Sequence, residues 1–343
     1  MQTEQVFISG GSWMKRIIVG EEEAGQRLDR LLSRYLQNAP KSFLYKMLRK
    51  KNITLNGKKA DGGEKIQTGD EINIFFSDET YEKFSGRSRK KDGFCPATNL
   101  DIIYEDDHIL LINKPAGMLT QKAEPEDVSL NEYMLGYLQR SGQRTESEKT
   151  DRVEYVFRPS VCNRLDRNTS GIVVCGKSLA GLRKMSELLR NRTVHKYYYC
   201  LVAGQVSTKR NIRGYLWKDC STNKVHVLAE EKQNSVFIET EYRPLKMFSD
   251  STFLEVRLVT GRSHQIRAHL ASEGHPIIGD FKYGNREMNA VYKKRYQVHS
   301  QLLHAGRLEF SVMEKPLELL SGKVFRAELP EVMKRIIKEK EKG

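Results

Sequence analysis

The chain has 343 residues, with 58 Lys and Arg against 44 Asp and Glu, so its formal net charge is +14. This basic balance favours a polyanionic partner, and at about 150 residues per domain the length predicts two domains. Only 38% of the residues are hydrophobic. The longest apolar runs, at residues 108–112 and 172–175, are far shorter than the ~18 residues that a membrane span needs. They predict buried strands and exclude a membrane protein.

The N-terminus and the cysteines indicate the cellular compartment. Residues 1–13 lack a basic start followed by an apolar run, so no secretory signal is expected and the protein is predicted to be cytoplasmic. The five cysteines are widely spaced and form no C-x-x-C pair, which supports neither a disulfide framework nor a zinc knuckle. We expect most of them to be small buried side chains.

Residues 27–65 carry more than half of the positive excess, with eleven Lys and Arg against three Asp and Glu. Within this segment, residues 28–36 place apolar side chains at the i, i+3, i+4, i+7 spacing of an amphipathic helix. A second helix is predicted from Ser42 to about Lys50, and Pro40 separates the two.

A hairpin and a further strand follow these helices. Asn56-Gly57 supplies the positive φ angles of a tight turn between Ile53–Leu55 and Lys58–Ala60. Gly69-Asp70 then predicts a turn, and Glu71–Ile74 predicts a strand.

Two basic helices followed by an Asn-Gly hairpin and a Gly-Asp turn resemble the αL RNA-binding motif, first recognised in a small-subunit ribosomal protein. The matching residues are Arg27-Leu28-Asp29, Ser42, Asn56-Gly57 and Gly69-Asp70. The resemblance implies an αL-type RNA-binding module over residues 14–76, with a basic face that suits phosphate contacts. The alternative is that these charged side chains only form a solvent-exposed helix face and bind no RNA. The expected RNA-binding residues are Lys41, Lys46, Arg49, Lys50, Lys51, Lys58 and Lys59.

Residues 77–99 are polar and charged, with the basic run 85–91 at their centre and no apolar period. They predict a basic flexible linker. Strands and helices alternate from residue 100 to residue 335, which predicts a second, larger domain over this span.

A polar, turn-prone stretch at residues 162–171 leads directly into the apolar run 172–175. It places Asp166 between Arg164 and Arg167, and neighbouring cations favour the ionised form of a carboxylate. From spacing alone, a catalytic carboxylate and an ordinary ion pair that stabilises a loop are equally good interpretations.

A second group of polar residues lies around residue 262. The alternation in residues 254–259 predicts a strand, Thr260-Gly261 predicts a turn, and Thr260 or Ser263 is expected to cap a helix that ends near Gly274.

Helical spacing in this segment predicts that Arg262, Ile266 and His269 share one face. His264 and His269 are five residues apart with no acidic residue between them, which is not the spacing of an H-E-x-x-H zinc site. We interpret both histidines as structural hydrogen-bonding residues.

Several motifs resemble, in the same order, those of the RluA-type pseudouridine synthases. They are Asn113-Lys114-Pro115-Ala116-Gly117; Arg164-Leu165-Asp166 with Thr169-Ser170-Gly171; Val194-x-Lys196-x-Tyr198 with Gly204; Gly261-Arg262-x-His264-Gln265-Ile266-Arg267-x-His269-Leu270; His275-Pro276-Ile277-x-Gly279-Asp280 with Tyr283-Gly284; and Gln301-x-Leu303-His304-Ala305. The resemblance covers about residues 100–330 and marks residues 100–335 as the catalytic domain. It implies an α+β fold: a mixed, mainly antiparallel sheet with flanking helices and a central catalytic cleft, preceded by a small α+β RNA-binding module.

The resemblance also implies roles for four residues. Asp166 would be the essential carboxylate, which attacks the uridine at the sugar C1′ or the base, or abstracts a sugar proton. Arg262 would pair with Asp166 and keep it ionised and oriented. Tyr198 would pack against the target base and assist the final proton transfer, and Arg164 would fill the gap that the flipped uridine leaves in the RNA. The reaction exchanges an N1–C1′ bond for a C5–C1′ bond without a redox step, so no cofactor and no metal are expected.

The implied function is the isomerisation of specific uridines to pseudouridine in RNA. Large-subunit ribosomal RNA is the expected substrate, the protein is expected to be a monomer, and no membrane partner is expected. A second hypothesis is a non-catalytic RNA-binding or ribosome-assembly factor on the same fold, against which the intact Asp166 argues. A metal-dependent nuclease is disfavoured because no carboxylates or histidines have ligand spacing.

Two features depart from the family pattern. The family usually has His before Arg-Leu-Asp, whereas this chain has Asn163, whose amide can form hydrogen bonds but cannot carry a proton near neutral pH. Residues 1–13 have no counterpart in the pattern, which makes Met14 a candidate for the native start.

Overall fold

The chain divides into two units, each with its own sheet. The first unit comprises residues 1–95 and 138–158, and the second comprises residues 96–137 and 159–343. The structure is a computed structural model, and it describes residues 3–8, 12–20, 23–85, 99–124, 126–141, 157–219 and 224–342.

The first unit combines a five-stranded sheet with helices. Its strands pair antiparallel in the order β1-β2-β5-β3-β4. The elements are β1 (Thr3–Ile8), β2 (Ser12–Ile18), α1 (Leu28–Tyr35), α2 (Lys41–Arg49), β3 (Ile53–Leu55), β4 (Lys58–Lys59), β5 (Glu71–Phe75) and α3 (Asp78–Ser85).

The two predicted basic helices are confirmed, and their apolar faces share one core. Leu28 and Leu32 of α1 and Leu44 and Leu48 of α2 are almost completely buried. Full burial of such a side chain stabilises the fold by about 1.5–3 kcal/mol. On the opposite faces, Arg30 of α1 and Lys41, Lys46 and Arg49 of α2 are exposed to solvent.

The predicted Asn-Gly hairpin is also confirmed. Asn56 and Gly57 have φ angles of 50° and 69°, as a type I′ turn requires. The Asn56 amide holds the turn against the next strand, because its Oδ1 accepts from the Glu71 N–H at 2.7 Å and its Nδ2 donates to Asp70 at 2.9 Å.

The structure differs from the predicted limits of both domains. Residues 78–85, expected to be flexible linker, form α3, because Tyr81 is 1% exposed in the core of the first unit and Phe84 packs against that core. The rest of the predicted linker, residues 86–98, lies outside the described residues. At the other ends, strands precede residue 14, and the last helix continues past residue 335.

No helix in the described ranges of the chain is long and apolar enough to cross a membrane.

The second unit contains one large sheet with helices around it. The elements are β6 (Ile102–Glu105), β7 (Ile109–Lys114), α4 (Leu130–Arg140), β8 (Ser160–Val161), β9 (Ser170–Gly176), α5 (Leu179–Arg190), β10 (Val194–Ala203), β11 (Arg210–Asp219), β12 (Lys224–Leu228), β13 (Val236–Met247), β14 (Ser251–Leu258), α6 (Gln265–Ser272), α7 (Arg286–Tyr296), β15 (Leu303–Phe310), a 3₁₀ turn (Glu318–Leu320), β16 (Val324–Arg326) and α8 (Glu331–Lys340).

The large sheet is mixed and mainly antiparallel, as predicted. Its main strand order is β12-β11-β13-β14-β10-β15-β9-β7-β6, and β8 and β16 pair with β9 and β15 at its side. The two apolar runs seen in the sequence lie in β7 and β9, which are neighbours and almost entirely buried. The α+β fold inferred from the sequence is therefore confirmed.

The parallel pair β9–β15 fixes the strand that follows Asp166. Gly171 in β9 has a φ angle of 114°, and a Cβ at this position would lie 2.3 Å from the carbonyl oxygen of Ala305 in β15. Only glycine allows this close approach. The Thr-Ser-Gly sequence after Asp166 therefore sets the register and distance of the two strands.

Helix α6 begins later than the sequence predicted, and neither predicted residue caps it. The residue before its first turn is His264, which is left-handed with a φ angle of 59° and makes no side-chain cap. The Thr260 hydroxyl instead lies 2.9 Å from Oε1 of Gln265 and accepts from the Glu239 N–H at 2.8 Å. Because the helix starts at Gln265, Arg262 lies in the preceding turn and not on the helical face predicted for it.

Candidate active site

Asp166 lies on the wall of a cavity of about 680 Å³ in the second unit. The lining comes from residues 119–123, the loop before β9, the end of α5, β10, and the turn before α6. It brings together all four residues singled out in the sequence: Arg164, Asp166, Tyr198 and Arg262. Among the described lining residues, Asp166 is the only acid and stands among several cations.

The arginine that holds Asp166 is Arg267, and the predicted pairing with Arg262 is wrong. Nη1 of Arg267 donates to Oδ2 of Asp166 at 2.9 Å. Its Nε and Nη2 donate to the two carboxylate oxygens of Asp280 at 2.6 and 2.9 Å. The guanidinium therefore binds both carboxylates with different edges, as its planar fork of donors allows.

Arg267 and Asp280 are the buried part of this arrangement. The side chains of Arg267 and Asp280 are 9% and 0% exposed, whereas that of Asp166 is 26% exposed. Burial opposes both charges, but the hydrogen bonds within the pair raise the pKa of Arg267 and lower that of Asp280. Asp280 thus fixes the guanidinium, and Asp166 keeps one face open to the cavity.

Arg262 takes a different position. It is exposed in the turn before α6, and its backbone N–H donates to Oε1 of Gln265 at 3.1 Å. Its guanidinium has no hydrogen-bonding or ionic partner within the described part of the chain. Arg262 does not share a helical face with Ile266 and His269, because α6 begins only at Gln265.

Tyr198 and Arg164 occupy opposite kinds of environment on the same cavity wall. Tyr198 in β10 is 7% exposed; burial raises the pKa of its hydroxyl, and the charge of Asp166 raises it further. Tyr198 is therefore a neutral, largely apolar surface next to the carboxylate. Arg164 is exposed at the mouth of the cavity, two residues before Asp166.

His264 and Tyr283 also belong to the site, although the sequence interpretation treated His264 as structural. Nε2 of His264 lies 3.8 Å from Oδ2 of Asp166, and its Nδ1 lies 3.0 Å from the hydroxyl of Tyr283. Burial lowers the pKa of His264, the charge of Asp166 opposes this, and the charges of Arg267 and Lys282 add to it. The left-handed φ angle of His264 is the backbone strain that often marks a functional position.

The second histidine of the segment is structural, as expected. His269 is 1% exposed, and its Nδ1 lies 3.0 Å from the Thr240 hydroxyl. Burial lowers its pKa to about 4. No group of three or more His, Cys, Asp or Glu residues among those described is placed to hold a metal ion.

Comparison with known proteins decides the family. Residues 108–272 match the family model described as RNA pseudouridylate synthase, and residues 26–72 match the S4 domain. The ribosomal large subunit pseudouridine synthase C of Vibrio cholerae serotype O1 is 31% identical over 314 residues, which are 88% of this chain and 91% of that protein. This chain belongs to the RNA pseudouridylate synthase family.

Further relatives agree with this assignment. The ribosomal large subunit pseudouridine synthase C of Escherichia coli strain K12 is also 31% identical, over 335 residues that cover 95% of this chain and 96% of that protein. The structure of human RNA pseudouridylate synthase domain containing 4 has a TM-score of 0.53 at 20% identity, and it covers 69% of this chain and 92% of that chain. The latter shows the shared fold. The chain is accordingly an isomerase that converts uridine to pseudouridine in RNA.

In this pseudouridine synthase, Lys114 connects the loop that follows β7 to the loop that carries Asp166. It is 0% exposed, and its Nζ donates to the carbonyl oxygens of Pro115, Met118 and Arg167 at 2.9, 2.8 and 3.1 Å. Burial lowers the pKa of Lys114 to about 8, although the charge of Asp166 opposes this change. The three contacts attach the loop that carries Asp166 to the end of β7.

Asn163, which replaces the usual His of the family, anchors the start of the same loop. Its Oδ1 accepts from the Val174 N–H at 2.7 Å, and its Nδ2 donates to the carbonyl of Ile172 at 3.4 Å. These contacts need an amide and no titratable group. The substitution therefore leaves the loop attached to β9.

The S4 domain of this synthase presents a basic surface. All seven side chains predicted to contact RNA are exposed, and they lie on α2, at its end, or on β4 of the hairpin. These residues, the S4 basic surface, are Lys41, Lys46, Arg49, Lys50, Lys51, Lys58 and Lys59.

Proposed function

We propose that this enzyme isomerises specific uridines of large-subunit ribosomal RNA and that Asp166 is the carboxylate that reacts. The observation that carries this proposal is the position of Asp166: it is half-buried on the cavity wall and held by Arg267 at 2.9 Å. The names of the two relatives reported above support the choice of RNA, since both are ribosomal large subunit pseudouridine synthases.

The proposed reaction breaks the N1–C1′ bond of the target uridine, turns the uracil within the cavity and forms the C5–C1′ bond. The proton on C5 is then removed and N1 gains a proton, so that uridine and pseudouridine contain the same atoms; if Asp166 has formed a covalent bond to the substrate, that bond breaks before the product leaves. The carboxylate of Asp166 starts the sequence, by attack on C1′ or the base or by removal of a sugar proton. Arg267 takes the orienting role that the family resemblance implied for Arg262, and Tyr198 packs against the uracil and assists the final proton transfer.

The RNA must expose the uridine before this chemistry can occur. We assign Arg164 to the gap that the flipped base leaves, because an exposed planar guanidinium can stack on neighbouring bases. The S4 basic surface supplies phosphate contacts that do not depend on base sequence. We assign RNA binding to the S4 domain and catalysis to the second unit.

We also propose that the enzyme acts as a monomer in the cytoplasm. The four residues to which the resemblance gives roles line one cavity, so a single copy of the chain supplies all of them. Ribosomal RNA as substrate requires a compartment in which ribosomes are assembled.

The test is to map pseudouridine in total RNA by carbodiimide-induced reverse-transcription stops. A deletion strain is compared with strains complemented by the wild-type enzyme or by Asp166→Asn. We expect one or more stops in large-subunit RNA to vanish on deletion and to return only with the wild-type enzyme. The substitution keeps the size of the side chain and removes its charge, so immunoblotting and a thermal melt of the purified variant control for its level and folding.

Two outcomes would contradict the proposal. Full restoration of the stops by Asp166→Asn would show that the carboxylate is dispensable, as the hypothesis of a non-catalytic assembly factor requires. Stops that vanish only from transfer RNA or messenger RNA would show that large-subunit ribosomal RNA is not the substrate. That result would not contradict the role of Asp166.

A further inference from the structure

Lys196 is a cation on the cavity wall without a counter-ion. It lies on β10 two residues before Tyr198, and both residues line the cavity. Two residues along a strand span about 6.8 Å, so the ammonium group is displaced from the Tyr198 ring along the same wall. Within the described ranges of the chain, no carboxylate or hydrogen-bond acceptor pairs with its Nζ.

The surroundings of Lys196 make this an unfavourable place for an isolated charge. Burial lowers the pKa of Lys196, and the nearby positive charge of Arg192 lowers it further. The only acid among the described lining residues, Asp166, already pairs with Arg267. Even a partly buried charge without a partner costs free energy, so this position is explained best by a partner that the free enzyme lacks.

The turn before α6 forms the other side of this position. A Cβ on Gly261 would lie 3.3 Å from Nζ of Lys196, so the ammonium rests beside the backbone of this turn. The exposed guanidinium of Arg262, which does not pair with Asp166, follows directly on the same turn. Arg190 at the end of α5 also lines the cavity. Three cations of the wall are therefore available to an anion.

We infer that Lys196 and Arg262 form a phosphodiester subsite, which holds the RNA backbone next to the flipped uridine. The inference rests on the proposed function, because RNA is the anionic ligand that the cavity receives. Lys196 acts as a point charge on one phosphate oxygen, whereas Arg262 at the rim can bind with its planar fork. The subsite fixes the sugar of the target nucleotide relative to Asp166 while the uracil turns.

The test combines Lys196→Met with RNA in which single phosphates are neutralised. Binding is measured in an Asp166→Asn background, so that the RNA is not converted during the experiment and the measured affinity does not depend on turnover. The probes are oligonucleotides centred on the mapped uridine, each with one methylphosphonate linkage. Lys218→Met, an exposed lysine on β11 that does not line the cavity, is the matched control.

We expect one linkage beside the target uridine to dominate. Its neutralisation should weaken binding to the otherwise unchanged enzyme by about tenfold to a hundredfold, as for loss of a charge-assisted hydrogen bond. Lys196→Met should lose a similar factor with unmodified RNA and become clearly less sensitive to that linkage, because only Arg262 then contacts the phosphate. Lys218→Met should keep the sensitivity. The melting temperature of Lys196→Met should stay the same or rise, because an unpaired and partly buried charge has been removed.

Two results would overturn the subsite. One is a Lys196→Met enzyme that remains as sensitive as its parent to every linkage. The other is a fall in melting temperature with an unchanged linkage pattern, which would give Lys196 a packing role. If no uridine maps to the enzyme, the proposed function fails separately. The comparison is then made with an oligouridylate carrying the same single linkages.

Discussion

At the scale of single residues, Asp166 depends on a partner that lies 101 positions further along the chain. The guanidinium of Arg267 bridges Asp166 and the fully buried Asp280. Neither the spacing of Arg267 within α6 nor its neighbours in sequence indicate which carboxylate it meets. The sequence motifs contained both Arg262 and Arg267, and only the three-dimensional arrangement distinguishes the two.

This distinction leads to a prediction for arginine-to-lysine changes. Arg267→Lys keeps the charge, but one ammonium cannot replace the fork that binds Asp166 and Asp280 together. We expect kcat to fall by about a hundredfold, as for displacement of a reacting group by about 1 Å. Arg262→Lys should act mainly on KM. Single-turnover rates and thermal melts of both variants provide the measurement; a larger loss of kcat in Arg262→Lys would return the orienting role to Arg262.

A second residue-scale prediction concerns Gly171. Gly171→Ala places a Cβ 2.3 Å from the carbonyl oxygen of Ala305 at a φ angle of 114°. Steric overlap and backbone strain should together lower the free energy of unfolding by about 3 kcal/mol or more.

The control for this change is Gly322→Ala. Gly322 also has a positive φ angle, 67°, but a Cβ there would meet nothing within 4 Å. Gly322→Ala should lower the free energy of unfolding by only about 1–2 kcal/mol, which is the cost of placing alanine at a positive φ angle. Urea denaturation of both variants measures the difference, and equal losses would show that β9 and β15 can move apart without cost.

At the scale of elements, regular spacing predicted well wherever an element is amphipathic in its own right. Helices α1 and α2 and the Asn-Gly hairpin lie within a residue or two of their predicted limits. Helix α3 was missed because Tyr81 and Phe84 are two apolar residues in a charged segment, and only their burial against the first unit makes the segment helical. The start of α6 was predicted too early because the residue before its first turn is His264. His264 is left-handed and forms no side-chain cap, so no capping residue in the sequence marks this start.

The end of α2 carries an element-scale prediction. Arg49, Lys50 and Lys51 are consecutive and exposed at this end. Each phosphate contact contributes about 0.7–0.9 to the slope of log affinity against log salt. The triple change to Gln should therefore weaken RNA binding and flatten the slope by about two. Filter binding at several salt concentrations gives both values.

The matched control lies on α7, where Lys293, Lys294 and Arg295 are also consecutive and exposed. Their change to Gln removes the same charge and, for Arg295, an exposed pair with Glu339 that contributes little to stability. Affinity and slope should stay close to those of the wild-type enzyme. Equal effects of the two triple changes would mean that net charge, and not the S4 basic surface, determines binding.

At the scale of the whole molecule, the sequence was sufficient for the α+β class and the family, and it named four residues of the cavity wall: Arg164, Asp166, Tyr198 and Arg262. It could not supply the contacts across that wall, because these depend on how distant elements pack. Arg267 with Asp166 and His264 with Tyr283 are contacts of this kind. The net charge of +14 likewise indicated only that the partner is a polyanion, and not where on the protein it binds. Lys196, a partly buried cation on the cavity wall, is the residue from which we infer where that partner binds.

The parallel pairing of β9 with β15 also has a consequence for biosynthesis. Ser170 and His304 are 134 positions apart in the chain, and their side chains meet at 2.9 Å. At translation rates of 5–20 residues per second, roughly 7 to 27 seconds separate the synthesis of these two residues. Until β15 has left the ribosome, the segment with Asp166 has no neighbouring strand on that side. Isomerase activity is therefore a property of the finished chain, whereas the S4 segment is complete much earlier in its synthesis.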